Sequence, residues 1–222
     1  MSSSKRNGSI PRGREHGAAG DVRGEVYDRA YYDKWYRHPR HRVRTRAELA
    51  RIVRFVFSAA EHILERPVRS VLDVGAGEGN WYPLLTALRP GLRYRGVDPS
   101  EYAVARFGAR RNLVQGSVTD LAAAGVRGPY DLVIASGMLN YLGASDLRTG
   151  LAEIARHVGG VAYLELFSSQ DAFTGDTDEM PLRPARWYAR ELAQAGFVSC
   201  GLHLYVPKRD AGRLARLEVL AR

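Results

Sequence analysis

Two periodicities of apolar positions organise this chain from Pro67 onward. Short apolar runs predict β-strands, and apolar positions spaced three and four apart predict helices between them. The predicted strands lie near 70–75, 93–98, 112–115, 130–135 and 160–166, and the predicted helices lie near 81–89, 100–109, 145–157 and 184–195. Alternating strands and helices favour a parallel sheet with helices on both faces, so the pattern predicts an α/β fold.

The last part of the chain shows a different order. Residues 197–206 and 213–220 are both predicted as strands, and residues 207–212 separate them. Strands joined by so short a loop are antiparallel, since a parallel pair needs a long crossover connection. The whole pattern therefore predicts a seven-stranded, mostly parallel sheet with a terminal antiparallel hairpin.

The first 66 residues differ from the rest. Residues 1–25 are rich in Ser, Gly and Arg and offer few apolar side chains to bury, which predicts a flexible tail. Residues 26–66 are predicted to form an N-terminal helical cap, because a cluster of aromatic residues is followed by a long amphipathic pattern. Thr45, with Glu48 three residues later, makes a capping box that begins this helix. Residues 67–222 form the predicted core domain.

Composition limits the class of protein. With 222 residues, 45% of them hydrophobic and 26% charged, the chain matches one globular domain with a small appendage. No apolar run approaches the roughly 20 residues of a membrane helix, and residues 1–6 lack the apolar stretch of a signal peptide. One cysteine permits no internal disulfide, which favours a cytoplasmic location. The sequence has no Cys/His cluster, so no zinc site is expected.

The net charge of +9 is unevenly distributed. Residues 1–69 hold 16 Lys and Arg against 8 Asp and Glu, whereas residues 70–222 hold 17 against 16. A basic N-terminal region can contact nucleic acid, a membrane surface or an anionic substrate. The alternative is a compositional bias, since 30 of the 33 basic residues are arginine and they form no dense block.

A glycine-rich turn follows the first predicted strand. Gly75, Gly77 and Gly79 precede a predicted helix, and without Cβ atoms they let a ligand approach the backbone closely. Asp98 ends the next predicted strand, 21 residues after Gly77, where a carboxylate can accept ribose hydroxyl groups. The third glycine comes one residue earlier than in a dinucleotide fingerprint, and no lysine follows as in a P-loop. The turn thus predicts a nucleotide-binding site that is neither a dinucleotide fingerprint nor a P-loop.

Together with Asp73, this turn reads D-x-G-x-G-x-G and resembles motif I of the class I S-adenosylmethionine-dependent methyltransferases. Asp98 is similar to the acidic residue of that family's second strand, residues 115–118 to its adenine-side segment and residues 130–137 to its fourth strand. The resemblance covers residues 67–222 and implies S-adenosylmethionine as cofactor, with S-adenosylhomocysteine as product. The alternative is a Rossmann-like domain that binds another nucleotide.

The resemblance also implies which residues hold the cofactor. Asp73 and the turn backbone are expected at the methionine portion, Asp98 at the ribose and Ser136 near the methionine ammonium. The implied set is Asp73, Gly75, Ala76, Gly77, Asp98, Pro99, Ser117, Val118 and Ser136. Ser117 departs from the family, in which many members have an acidic residue there. Two simpler roles stay open, because Asp73 can bond turn amides and Asp98 can cap a helix.

The resemblance places the methyl acceptor beyond the fourth strand, under two covering segments. The catalytic candidates are Asn140, Tyr141 and His38. An asparagine can orient an amine or hydroxyl but cannot act as a base, and His38 is alternatively a surface residue. The substrate-binding candidates are Tyr31, Trp35, Tyr36, Asn140, Tyr141, Phe167 and Trp187. The aromatic members of this set can equally be packing anchors. No Asp/Asn cluster follows Asp131, so no metal is expected.

The main functional hypothesis is a metal-independent methyltransferase that acts on oxygen or nitrogen of a small molecule, mainly by proximity and in-line orientation. The alternative is a nucleic-acid or protein methyltransferase that docks through the basic N-terminal region. A third hypothesis is a non-catalytic cofactor-binding protein. The acidic residues between Asp171 and Glu179 can attract an amine or simply be solvated. A monomer or a homodimer is expected, with no membrane partner.

Overall fold

The computed structural model describes residues 27–172 and 180–214. The α-helices are α1 (Arg29–Tyr32), α2 (Arg46–Leu64), α3 (Tyr82–Leu88), α4 (Glu101–Arg111), α5 (Ala144–His157) and α6 (Ala185–Gln194). The strands are β1 (Ser70–Val74), β2 (Arg93–Asp98), β3 (Leu113–Gln115), β4 (Tyr130–Ser136), β5 (Val158–Glu165), β6 (Phe197–Gly201) and β7 (Leu204–Pro207). A π-helical turn spans Asp33–Arg37, and 3₁₀ turns span Leu139–Tyr141 and Lys208–Arg213. Within the described residues, no helix combines the length and the apolar character of a membrane span.

One seven-stranded sheet runs through the molecule in the order β3-β2-β1-β4-β5-β7-β6. Strands β1 to β5 pair in parallel, and β7 is antiparallel to both of its neighbours, β5 and β6. The predicted fold class is confirmed: a mostly parallel sheet with helices on both faces and a terminal antiparallel hairpin. Because parallel strands share a direction, β1, β2, β4 and β5 end at one edge of the sheet, where Asp98 and Glu165 are the last residues of β2 and β5.

The predicted position of the hairpin is wrong. Residues 197–206, predicted as one strand, contain both β6 and the start of β7. Their two-residue turn consists of Leu202 and His203, both at positive φ (50° and 63°), a conformation in which Gly or Asn is expected. Because Leu and His are not typical turn residues, the sequence does not indicate a chain reversal at this position. Most of the predicted strand 213–220 lies outside the described residues.

Two apolar layers cover the two faces of the sheet. On one face α2 and α3 pack against side chains such as Val71 and Ile134, and on the other α5 and α6 pack against side chains such as Leu72 and Val133. Neighbouring residues of a strand point to opposite faces, so β1 contributes Val71 to one layer and Leu72 to the other. Both residues are fully buried, because helices cover each face.

Helix α2 begins where the capping box predicts. Thr45 Oγ1 accepts a hydrogen bond from the Glu48 amide (3.2 Å), and the Glu48 carboxylate accepts one from the Thr45 amide (2.7 Å). Buried residues of α2 belong to the same apolar layer as residues of β1 and β4. The division into a cap (26–66) and a core (67–222) stays a prediction. The predicted tail, residues 1–25, lies outside the described residues.

A carboxyl group is buried within the sheet at Asp73. This residue of β1 is 1% exposed, and Tyr94 Oη on β2 donates to Asp73 Oδ2 over 2.7 Å. Burial raises the pKa of Asp73 to about 7, against the opposing effect of the Tyr94 hydrogen bond, and the charge of Asp98 adds to the rise. In the folded protein Asp73 therefore keeps its proton over a pH range in which it is ionised in the unfolded chain.

Replacing Leu72 by Ala tests how far the sheet depends on its packing. Leu72 is fully buried within β1, so Leu72→Ala should lower the free energy of unfolding by about 2–5 kcal/mol. Leu88→Ala, a matched change at the exposed end of α3, should cost less than about 1 kcal/mol. Urea unfolding followed by circular dichroism measures both. Equal losses in the two variants would contradict the packing described for β1.

The buried Asp73 carboxyl group should make the stability depend on pH. The pKa of an unfolded aspartate is about 4, so between about pH 4 and pH 7 the folded state binds one more proton than the unfolded state. The stability associated with protonated Asp73 is fully present below about pH 4 and is lost as the pH rises through about 7. The free energy of unfolding then falls by up to about 1.4 kcal/mol per pH unit.

Asp73→Asn should remove this dependence, because an amide does not titrate. The measurement compares the free energies of unfolding at about pH 4.5 and about pH 7 in the two proteins. The difference between the two pH values should be smaller in Asp73→Asn than in the native sequence. An identical difference would show that Asp73 titrates normally.

Candidate active site

The site is built around the glycine turn between β1 and α3. The Gly75 amide donates to the Val97 carbonyl oxygen (2.8 Å), which ties the turn to β2. Gly75 and Gly77 have φ values of 67° and 54°, in the region that favours glycine. A Cβ at Gly75 would clash with the Met138 side chain, and one at Gly77 would lie 2.7 Å from the Tyr36 hydroxyl oxygen. The turn therefore has no room for side chains, and its neighbours approach the backbone directly.

Asp98 lies beside this turn, at the end of β2. It is 5% exposed, and its carboxylate accepts hydrogen bonds from the amides of Gly77 (2.6 Å) and Ser100 (2.9 Å) and from the Tyr32 hydroxyl (3.4 Å). Burial raises the pKa of Asp98, and these three hydrogen bonds oppose the rise. Ser100, not Asp98, caps α4 with its hydroxyl, which accepts from the Ala103 amide. The role of Asp98 at a ribose stays a prediction.

The aromatic segment, residues 27–37, covers the turn and the end of β2. Its tyrosine rings pack edge to face in the order Tyr27, Tyr31, Tyr32 and Tyr36. Besides the hydrogen bond from Tyr32 to Asp98, two polar contacts hold the segment in place. Ser100 Oγ donates to the Tyr27 carbonyl oxygen (2.6 Å), and Arg37 forms an ion pair with the buried Glu78 of the glycine turn.

These elements enclose a cleft with two adjoining chambers, of about 880 Å³ and about 120 Å³. Six residues line both chambers: Tyr31, Tyr36, Gly75, Ser136, Gly137 and Tyr141. Among the other predicted cofactor residues, the larger chamber is lined by Asp73 and Ala76, and the smaller one by Gly77, Asp98, Pro99, Ser117 and Val118. The structure thus brings all nine predicted cofactor residues to one cleft, while the part each plays toward a cofactor stays a prediction.

Five of the seven predicted substrate-binding residues line the same cleft. They are Tyr31, Tyr36 and Tyr141 at both chambers, with Trp35 and Phe167 at the larger one. Trp187 lies elsewhere, since its ring faces the Arg183 guanidinium at 4.5 Å and the edge of Tyr188. His38 also lies away from the lining, and its Nδ1 accepts from the Arg40 amide (3.3 Å).

Asn140 is fully buried, and its amide is engaged with the protein. Nδ2 donates to the Phe167 carbonyl oxygen (2.7 Å) and to the Tyr188 hydroxyl (3.0 Å), and Oδ1 accepts from the Phe167 amide (3.0 Å). Both donor hydrogens of the side chain are thereby used. Asn140 ties the 3₁₀ turn after β4 to the chain leaving β5, and the predicted role in orienting a substrate finds no support in these contacts.

A polar cluster that was not predicted from the sequence lies where β4 and β5 end. Ser136 is the register partner of Glu165, and its hydroxyl donates to Glu165 Oε2 (2.7 Å). Arg44, from the loop before α2, forms an ion pair with Glu165 and donates from Nη1 to Ser136 Oγ (3.2 Å). All three side chains line the larger chamber. One signal could have identified Glu165: like Asp98, it is an acidic residue that ends an apolar strand.

The described residues offer little for metal chemistry. Within residues 27–172 and 180–214, no group of three or more His, Cys, Asp and Glu side chains is arranged to hold a metal ion. The predicted independence from metal stays a prediction. The cleft is instead lined by tyrosines, by backbone without side chains and by paired charges, which suits binding and orientation of ligands.

Comparison with known sequences points to one class of enzyme. Residues 72–160 match the family model described as a methyltransferase domain. A segment of 104 residues is 32% identical to the trans-aconitate 2-methyltransferase of Azoarcus sp. strain BH72, a match that covers 46% of this chain and 40% of that protein. The chain thus matches less than half of the length of that relative.

Solved structures share the fold at lower sequence identity. The sugar N-methyltransferase KedS8 from Streptoalloteichus sp. has a TM-score of 0.59 and 20% identity, over 86% of this chain and 91% of that one. CalS10 from Micromonospora echinaspora, an amino pentose methyltransferase whose structure has S-adenosylmethionine bound, has a TM-score of 0.58 and 15% identity, over 86% and 98%. Residues 72–160 thus match a methyltransferase domain, and the chain shares the fold of these solved methyltransferases.

Proposed function

We propose that this chain transfers a methyl group from S-adenosylmethionine to an oxygen or nitrogen atom of a small molecule, without a metal ion. The observation that carries the proposal is the cleft itself, in which the nine predicted cofactor residues line two adjoining chambers of about 880 Å³ and about 120 Å³. The names of the similar proteins support small acceptors, with a carboxylic acid in one case and sugars in the other two.

The residues of the cleft fit the proposed cofactor. Asp98 Oδ2 accepts one amide hydrogen bond, which leaves this oxygen able to accept a second from a ribose hydroxyl. Val118 and Pro99 give the smaller chamber apolar surface of the kind that a flat adenine ring packs against. Gly75 lines both chambers, so a methionine chain can reach the backbone of the turn at this residue.

Bound S-adenosylmethionine would supply a methyl group that its sulfonium charge has already activated. The contribution of the protein is then to hold the acceptor in line and to exclude water. Tyr31, Tyr36 and Tyr141 line both chambers, so they lie between the proposed cofactor site and the proposed acceptor site. Tyrosine faces also attract a positive charge, which suits a site for a sulfonium.

Replacing Asp98 tests the cofactor site directly. Asp98→Ala should weaken binding of S-adenosylhomocysteine by at least about tenfold, because a hydrogen bond to a charged acceptor is lost. Isothermal titration calorimetry measures the affinity. Asp131→Ala is the matched control: it removes a carboxylate at the opposite end of the sheet, where Asp131 bonds Arg66 and Ser70, and should change the affinity less than about twofold.

Thermal unfolding of both variants shows whether they remain folded, since each carboxylate also bonds backbone amides. Affinity retained in a folded Asp98→Ala variant would rule out the ribose assignment.

A methyl-labelling experiment tests the activity. The protein is incubated with methyl-labelled S-adenosylmethionine and an extract of the source cells, and small molecules, protein and nucleic acid are then separated. Protein-dependent label among the small molecules is expected. Label in RNA, DNA or protein would instead support the polymer alternative, which rests on the basic N-terminal region and which no contact of the described residues favours.

A further inference from the structure

Arginine dominates the charge of the larger chamber. Of the described residues that line it, Arg37, Arg44, Arg46 and Arg111 are basic, and Asp73, Glu78 and Glu165 are acidic. Burial raises the pKa of Asp73 to about 7, so near neutral pH this carboxyl group is only partly ionised. The chamber therefore carries an excess of positive charge and favours an anionic occupant.

Two of these guanidinium groups are already engaged near the glycine turn. Arg37 bonds Asp33 and Glu78, and Arg111 donates to the Glu78 carbonyl oxygen (2.6 Å) and to Asn80 Oδ1 (2.7 Å). Both contribute to the structure of the turn. The remaining two, Arg44 and Arg46, lie at the start of α2, on either side of its N-cap residue Thr45.

Arg44 is held in place and still has donors to offer. Its guanidinium uses two of five N–H groups, one on Glu165 and one on Ser136, which leaves three. The buried Glu165 carboxylate accepts from Arg44, Ser136 and Tyr163 Oη (3.4 Å), so it is a fixed anchor behind the arginine. The Arg44 side chain is 26% exposed and lines the chamber. This is the geometry of a guanidinium oriented to receive an anion.

Arg46 follows Arg44 by two residues and occupies the first position of α2. Its side chain is exposed and lines the same chamber, and among the described residues it forms no hydrogen bond or ion pair. Arg44 binds Ser136, which lines both chambers, so Arg44 reaches the place where the two chambers meet. An acceptor bound by Arg44 and Arg46 would lie beside the proposed cofactor site.

The same part of the chamber offers no free base. Its described lining residues include no histidine or lysine, and Glu165 is committed to Arg44. Asp73, on β1, is 1% exposed and accepts a hydrogen bond from the Tyr94 hydroxyl. An alcohol or a protonated amine must lose a proton to become a nucleophile, whereas a carboxylate is already ionised at neutral pH.

We propose that the methyl acceptor is a small-molecule carboxylate, bound by Arg44 and Arg46, with Glu165 as the positioning residue that orients Arg44. The inference rests on the proposed function and names its substrate class. Arg44 holds one carboxylate oxygen, and the other oxygen forms a bond to the methyl carbon as the carbon–sulfur bond breaks. The bond pair stays on sulfur, which becomes a neutral thioether; the other product is a methyl ester, and no proton is released.

The first test measures binding in protein saturated with S-adenosylhomocysteine, with citrate as the probe and ionic strength held constant with chloride. Arg46→Gln and Arg44→Gln should each weaken citrate binding by at least about tenfold. Arg54→Gln is the matched control, since it removes an exposed guanidinium on α2 away from the chamber, and should change binding less than about twofold. Absent citrate binding, or equal weakening by all three changes, would overturn the proposal.

Arg44→Gln leaves the buried Glu165 without its counter-charge and can fail to fold. The exposed Arg46 does not carry this risk, so Arg46→Gln alone is sufficient to refute the proposal. The double variant Arg44→Gln/Glu165→Gln removes both charges and should bind citrate as weakly as Arg44→Gln. With a carboxylate acceptor, Glu165→Gln should raise KM more than it lowers kcat; the reverse pattern would contradict a positioning role.

The second test identifies the bond that is formed. Small-molecule product labelled in the methyl group is treated with mild alkali, which hydrolyses a methyl ester to volatile methanol and leaves methylamines and methyl ethers intact. Volatile label supports the carboxylate acceptor. Label that resists alkali refutes it but leaves the proposed function standing, whereas absence of both cofactor binding and transfer refutes the proposed function itself.

Discussion

Hydrogen bonds between the glycine turn and the end of β2 are the contacts on which the rest of the site depends. The amides of Gly75 and Ala76 donate to the Val97 carbonyl oxygen, and the Gly77 amide donates to Asp98. They place the turn against its neighbouring strand, so the carboxylate of Asp98 and the bare backbone of the turn face the same cleft. The aromatic segment then closes on this unit, because the Tyr32 hydroxyl reaches the same carboxylate.

Ion pairs attach the residues before α2 to the glycine turn and to the end of β5. Glu78 and Glu165 are both buried, and each takes its counter-charge from residues that precede α2, Arg37 and Arg44. A buried carboxylate without a partner is costly, so these ion pairs select one position for the covering segments. The cover is therefore oriented by polar contacts, while α2 itself is held by apolar packing.

Features that depend on residues close together in the sequence are predictable from the sequence. The Thr45–Glu48 capping box, the five parallel strands and the glycine turn are local, and each lies where it is predicted. Contacts between distant residues carry no such signal: Arg44 and Glu165 are 121 positions apart, and the partners of Asn140 come from two later elements. The hairpin was misplaced for another reason, since Leu202 occupies a left-handed turn position without being a turn-forming residue.

The position of β7 has a consequence for how the chain is made. Strand β5 is buried over nearly all of its length and needs two neighbours, β4 on one edge and β7 on the other. During synthesis β5 leaves the ribosome well before residues 204–207, so an apolar edge stays open in the interval. Open apolar edges pair readily with other chains. A short strand that takes no part in the cleft thus protects the chain from aggregation only after its synthesis is almost complete.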